Sequence, residues 1–248
     1  MPIDQTPPPP LRLTGSALFL DVDGTLLALE ETPDAVKADG SLRALVHALS
    51  ARLDGALALV SGRSLTDLDR IFAPLRLPAA GQHGLERRSL DERIWRVQPV
   101  TAYVSLLEEV AHACEAMPGV LVERKGITMA LHYRQAPEYR AALTELLGRL
   151  VTPRPQLAWV MAGKMVFEIK PPGGDKGAAI SAFMGEAPWH GRVPVFLGDD
   201  LTDEAGFALV ERREGITVKV GAGPSVARYR LADVEAARSW LAAGLSGS

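Results

Sequence analysis

Short unbroken apolar runs alternate with stretches whose apolar residues recur every three or four positions, and this alternation occupies both ends of the chain. Residues 17–20, ALFL, form one such run. DGSLRALVHALSARL (39–53) then carries leucine and alanine at helical spacing before GALALVSGR (55–63) turns apolar again. Strand, helix, strand is the βαβ arrangement of a parallel sheet. SLTDLDRIFAPL (64–75) predicts a second helix, opened by Ser64 and Asp67 in the spacing of a capping box, and LPAAGQHG (77–84) predicts a third strand with its loop. The same rhythm returns late: KGAAISAFMGEA (176–187) as helix, VPVFLGDD (193–200) as buried strand, TDEAGFALVERR (202–213) as helix and GITVKVG (215–221) as strand.

The middle of the chain follows a different rule. RIWRVQ (93–98) predicts a strand, TAYVSLLEEVAHACEAM (101–117) a helix, and GVLVERK with ITMALHYR (119–134) a hairpin. APEYRAALTELLGRLV (136–151) is a second helix, and QLAWVMAG with KMVFEIKP (156–171) a second hairpin. Helix and hairpin given twice, αββαββ, suits a small antiparallel sheet with helices on one face. The predicted organisation is therefore a Rossmann-like α/β core from residues 1–86 and 172–248, with an α+β domain inserted at 87–171. The Gly/Pro run KPPGGDKG marks the return to the core.

Composition narrows the class of function. The chain has 248 residues, 47% of them hydrophobic, enough for a substantial core. Its formal charge is −3 with no block of Lys or Arg, which argues against nucleic acid or an anionic membrane as partner. The one cysteine, Cys114, lies in a helical pattern and reads as core, in keeping with a reducing compartment. MPIDQTPPPP lacks the apolar segment of a leader, and no run is long enough to span a bilayer. A cytoplasmic location is expected, with a frayed proline-rich start and AAGLSGS as a loose tail.

Where the predicted core strands end, the chemistry changes. Ligands of an open parallel sheet bind beyond the carboxyl ends of its strands. Four of these ends carry polar groups: Asp21 and Asp23; Ser61 with Arg63; His83; and GDDLTDE from Gly198 to Glu204. Burying two carboxylates so close together is unfavourable unless a cation meets them. Asp21, Asp23 and Asp199 make the oxygen-rich set that Mg2+ prefers. The rival calcium-loop reading of DVDGT fails, because its Gly falls at the fourth place and not the sixth. Ser61, between an apolar strand and a helix start, suits a phosphate. Lys176 opens a helix, where the dipole disfavours a cation, and so calls for a negative partner.

DVDGTL, SGR, DKG and GDDLTDE, in that order on those strand ends, resemble the four motifs of the haloacid dehalogenase superfamily of phosphotransferases, and the insertion falls where that superfamily carries its larger α/β cap. AAGQHGLERR, VERKGITMALHYR, FEIKP and GDDLTDEAGF resemble trehalose-6-phosphate phosphatases more closely than other members. The KPPGGDKG loop is richer in glycine than the usual lead to the motif lysine. The resemblance implies that Asp21 is the nucleophile and forms an aspartyl-phosphate, and that Asp23 is the acid and base. It further implies Mg2+ held by the Asp21 carboxylate, the Asp23 carbonyl and Asp199, and Ser61, Gly62 and Lys176 on the phosphate. Asp200 and Asp203 would orient metal-bound water or Lys176 from behind. Glu123, Lys125 and Glu168 would bind the distal sugar, with Arg63 and His83 nearby. A monomer supplied with substrate by a separate synthase is expected. The alternatives are a phosphatase or phosphomutase for another sugar phosphate, such as sucrose phosphate or mannosyl-3-phosphoglycerate, and a non-catalytic sugar-phosphate sensor.

Overall fold

β-Strands and helices follow in the order that the alternating patterns require. In this computed structural model, which describes residues 6–28, 37–163 and 165–246, β1 (Ser16–Leu20), α1 (Gly40–Arg52), β2 (Leu57–Val60), α2 (Leu65–Phe72) and β3 (Ala79–Gly81) open the chain. β4 (Glu86–Arg88), β5 (Ile94–Arg96), α3 (Thr101–Cys114), β6 (Leu121–Lys125), β7 (Thr128–His132), α4 (Arg140–Leu150), β8 (Trp159–Gly163) and β9 (Val166–Lys170) follow. The chain then runs through α5 (Lys176–Met184), β10 (Val193–Gly198), α6 (Glu204–Arg212), β11 (Ile216–Val220), β12 (Tyr229–Leu231) and α7 (Val234–Ser246).

Contacts divide the chain into two compact units, one reaching to Arg96 and resuming at Asp175, the other running from Val97 to Gly174. The first is built on one eight-stranded sheet in the order β12-β11-β10-β1-β2-β3-β4-β5. Strands β12 to β3 are parallel, and β4 and β5 add antiparallel. A parallel strand covered on both faces must be apolar throughout, and β1 and β2 are buried at every position. Register sets Leu20 beside Leu197 and Leu59, so β1, β10 and β2 end at one level. The helices cover the sheet through an aromatic cluster in which the Phe183 ring lies 6.0 Å from Phe19 and 4.8 Å from Trp189. α1 is capped by Asp39, which accepts from Leu42 N at 2.8 Å, and α2 by Ser64, which accepts from Asp67 N at 3.1 Å.

The second unit is an antiparallel sheet, β6-β7-β9-β8. Alternation sends Met129, Leu131, Phe167 and Ile169 to the face where α3 and α4 pack with Tyr103, Leu106, Val110, Cys114 and Leu143. Cys114 is core, as expected. Glu123, Lys125, His132 and Glu168 take the opposite face by the same alternation.

Two elements depart from the sequence reading. RIWRVQ, assigned there to the insertion, supplies β5, the outer strand of the large sheet, paired through Glu86 and Arg96. The three-residue strands β4 and β5 carry arginines and exposed Ile94 and Trp95, so their apolar pattern names no core. The expected loose tail is also wrong as far as Ser246, because α7 runs to that residue and buries Ala237, Leu241 and Gly244. The proposed frayed start falls partly on residues outside those described.

Candidate active site

The chain leaves the sheet at Asp21, and its amide still donates to Leu197 O of the neighbouring strand at 3.0 Å. Because β1 and β10 are adjacent and parallel, the carboxylates that follow them, Asp21 and Asp199, emerge side by side. Lys176, first residue of α5 behind its N-cap Asp175, reaches into the same place. Its ammonium donates to Asp21 Oδ1 and to Asp203 Oδ1, each at 2.7 Å. All three residues are buried. The negative partner that a lysine at a helix N-terminus requires is thus a pair of aspartates.

Asp203 is fixed from both sides. Its Oδ2 accepts from the amides of Asp199 and Asp200 at 3.0 Å each, while Asp200 accepts from Thr202 N at 2.8 Å, a reciprocal cap on the turn Leu201–Asp203. Asp21 Oδ2 accepts from the Thr25 hydroxyl at 3.0 Å. Gly24 has φ +80°, and a Cβ there would lie 2.0 Å from Asp199 Oδ2, so the glycine of DVDGT lets the loop pass against the Asp199 carboxylate.

Asp21, Asp199 and Asp203 present oxygens that all lie within 4.8 Å of one another. Burial pushes Asp21 up to about 7, against the pull of Lys176. Burial, with Asp200 and Asp203 nearby, pushes Asp199 up to about 6. Burial, with Asp21 adjacent, pushes Asp203 up to about 8. Burial alone would depress Lys176, but Asp21 and Asp203 outweigh it and hold the ammonium above its ordinary value. One ammonium contacts two of these carboxylates, Asp21 and Asp203, and leaves Asp199 without it. The metal-free cluster therefore holds protons at neutral pH, and an all-oxygen set of three carboxylates fits a hard divalent cation that would displace them.

Asp23 turns away from this cluster. Its carboxylate forms a two-pronged pair with Arg63, 2.6 Å from Nε and 2.7 Å from an Nη nitrogen. That leaves its main-chain carbonyl, the ligand atom expected of it, for a metal. Ser61 is buried beyond β2, and its hydroxyl accepts from Arg63 N at 3.1 Å. Gly62 runs under the His83 ring, where a Cβ would lie 2.7 Å from Cε1 and Nε2. His83 N in turn donates to Ser61 O at 3.0 Å. The core therefore brings together Asp21, Lys176, Asp199, Asp200 and Asp203 on one side, and Asp23, Ser61, Gly62, Arg63 and His83 on the other.

In the inserted unit, Glu123 and Lys125 share one face of β6, with Lys125 Nζ 3.4 Å from Glu123 Oε2. Glu168 lies in the same cross-strand rung as Glu123, with Ala130 between them. Three partners escaped the sequence reading. Thr25 binds Asp21, and His132 Nε2 lies 2.8 Å from Glu123 Oε2. Buried Lys219 donates to the carbonyls of Asp199 and Val220. Lys219 carried a usable signal: a lysine near the carboxyl end of the apolar strand TVKV obeys the same strand-end rule as Asp21.

The chain matches the model of the trehalose-phosphatase family over residues 19–236. It is 47% identical over 226 residues to the trehalose-6-phosphate phosphatase of Escherichia coli K12, covering 91% of this chain and 85% of that one. It is 45% identical over 206 residues to a probable trehalose-phosphate phosphatase of Sinorhizobium fredii, covering 83% and 77%. A solved trehalose-6-phosphate phosphatase related protein superposes with a TM-score of 0.70 at 28% identity, over 91% of this chain and 95% of that one. The C-terminal domain of the Candida albicans trehalose-6-phosphate phosphatase shares the fold, with a TM-score of 0.78 at 20% identity over 93% and 92%.

Proposed function

The chain belongs to the trehalose-phosphatase family and is a phosphoric monoester hydrolase, and we propose that it hydrolyses trehalose 6-phosphate to trehalose and phosphate through a phosphorylated Asp21, with Mg2+ as cofactor. The observation that carries this reading is the buried Asp21–Lys176–Asp203 chain beside Asp199, at the carboxyl ends of β1 and β10. A carboxylate at that position, held through Thr25 and Lys176, is oriented for attack on phosphorus. Forming the acyl-phosphate breaks the ester bond, and Asp23 gives its proton to the departing sugar oxygen. In the second half, Asp23 takes a proton from the water that attacks phosphorus, and phosphate leaves with Asp21 restored.

Mg2+, held by the Asp21 carboxylate, the Asp23 carbonyl and Asp199, would supply the charge that lets an anionic nucleophile meet an anionic phosphate. Lys176, Ser61 and the Gly62 backbone hold the phosphoryl oxygens. Asp203 keeps Lys176 charged and aimed, and Asp200 fixes the turn that carries Asp199. Arg63, whose guanidinium is committed to Asp23, serves to align that acid more than to grip the sugar. His83 borders the phosphate loop. Glu123, Lys125 and Glu168 bind the distal glucose, since carboxylates and an ammonium together meet hydroxyls that both donate and accept.

The test is phosphate release from a panel of sugar phosphates, with Mg2+ or with EDTA. Selective release from trehalose 6-phosphate, abolished by EDTA and restored by Mg2+, is expected. Equal rates on unrelated sugar phosphates, or indifference to EDTA, would refute the assignment.

A further inference from the structure

We propose that His132 is a positioning residue for sugar recognition: its imidazole holds one oxygen of Glu123 so that the other is presented to a hydroxyl of the distal ring. This rests on the reading that Glu123 binds that ring. β7 lies between β6 and β9, and its last residue, His132, pairs with Leu121, two places before Glu123 on β6. His132 and Glu123 are thus diagonal neighbours on one face, a spacing that long side chains bridge. They do so with Nε2 2.8 Å from Oε2. Lys125 approaches the same Oε2 from the other direction along the strand, at 3.4 Å. Oε2 is therefore held from both sides, while Oε1 takes no hydrogen bond from the described residues.

A carboxylate can only accept, so the hydrogen between the two groups belongs to His132 Nε2. With Oε2 fixed in this way, Oε1 is the acceptor that the pair presents at a set position. A half-exposed glutamate left to itself samples several rotamers, and binding a sugar would first have to select one. Holding it in advance removes that penalty from the binding step, which is how pre-organisation raises affinity. Charge neutralisation alone does not account for the histidine, since Lys125 already stands beside the same oxygen.

The experiment measures kcat and KM for trehalose 6-phosphate and for p-nitrophenyl phosphate, which has no distal ring, in His132→Leu, His132→Gln, Glu123→Ala and the His132→Leu/Glu123→Ala double variant. The expected result is a roughly tenfold fall for His132→Leu in the ratio of the two kcat/KM values. Most of it should return in His132→Gln, whose amide nitrogen reaches the place of Nε2. In the double variant, Glu123→Ala should absorb the effect of His132→Leu, the signature of residues that act as a unit. A selective loss in Glu123→Ala with none in His132→Leu, additive losses, or glutamine no better than leucine would overturn the role of His132 and leave the sugar-site reading standing. An equal fall on both substrates would make the histidine structural and also overturn it. Unchanged selectivity in Glu123→Ala would remove both.

Discussion

Replacing Gly24 by alanine separates backbone strain from damage to the acidic cluster, because Gly15 supplies the control. Gly24 and Gly15 have φ of +80° and +74°. A Cβ in that region costs about 1–2 kcal/mol. Around Gly15 nothing lies within 4 Å of the added carbon, so Gly15→Ala should show that strain and nothing else. At Gly24 the carbon would sit 2.0 Å from Asp199 Oδ2, where ordinary contact begins at 3.4 Å, so the carboxylate must retreat by 3.4 − 2.0 = 1.4 Å. Mg2+ bonds oxygen at about 2.0–2.1 Å in a near-rigid octahedron, and a ligand displaced that far is lost. We expect the Mg2+ dissociation constant of Gly24→Ala to rise at least ~10-fold, which is ~1.4 kcal/mol less stabilisation at saturating metal. Urea unfolding in EDTA and in excess Mg2+, with trehalose-6-phosphate hydrolysis alongside, reads both terms. Both variants should be weakened to a similar degree in EDTA, and excess Mg2+ should restore Gly24→Ala by at least ~1.4 kcal/mol less than Gly15→Ala, with only Gly15→Ala remaining fully active. Equal rescue of Gly24→Ala by Mg2+, with full activity, would show that Asp199 does not hold the metal.

Asp21, Asp199 and Asp203 all lie above the ordinary carboxylate value, at about 7, 6 and 8. Between about pH 4 and pH 8 the folded metal-free protein therefore retains protons that the unfolded chain has released. Stability present at acid pH is lost as pH rises through that window, so the melting temperature in EDTA should fall from pH 5 to pH 8 and Mg2+ should flatten the profile; a rise in EDTA would contradict the buried cluster. Asp21→Asn should remove at least ~10³-fold of phosphate release while still folding, as judged by its melting temperature in EDTA, and substantial activity in the folded variant would exclude the covalent route. Asp23→Asn should lower kcat by ~10²- to 10⁴-fold with KM little moved, and a change in KM alone would exclude proton transfer. Lys125→Ala and Glu168→Ala should each reduce kcat/KM for trehalose 6-phosphate by ~10-fold or more relative to p-nitrophenyl phosphate, and equal losses on both would place these residues in folding.

The core strands and the residues at their ends were legible because buried parallel strands admit little but apolar side chains. A carboxylate, serine or lysine at the boundary then stands out, as Asp21, Ser61 and Asp199 do. What stayed hidden depends on distance along the chain. Nothing in the sequence pairs Asp23 with Arg63, forty positions on. β12, like β4, is only three residues long and too short to show a period, while β5 is legible as a strand in RIWRVQ but not as part of the large sheet. α7 does show helical spacing, but its closing glycine and serine imitate a tail. Gly244 is in fact buried against Leu11, where a Cβ would approach within 3.0 Å, so the small residue serves packing and not looseness.

The central place of β1 in the sheet governs when the protein can become active during its own synthesis. β1 needs β10 on one flank, and their register joins Ser16 to Val193, so the first strand made waits for most of the chain before that edge is covered. Such long-range pairing is slow, and the waiting intermediate exposes an apolar strand edge. The Asp21 carboxylate is likewise translated long before Lys176, the ammonium that makes its burial tolerable. A nascent chain halted inside the insertion therefore carries Asp21 without its ammonium and keeps it in water. The Asp21–Lys176–Asp203 chain closes only after Asp203 has left the ribosome, and no shorter product of translation can carry it.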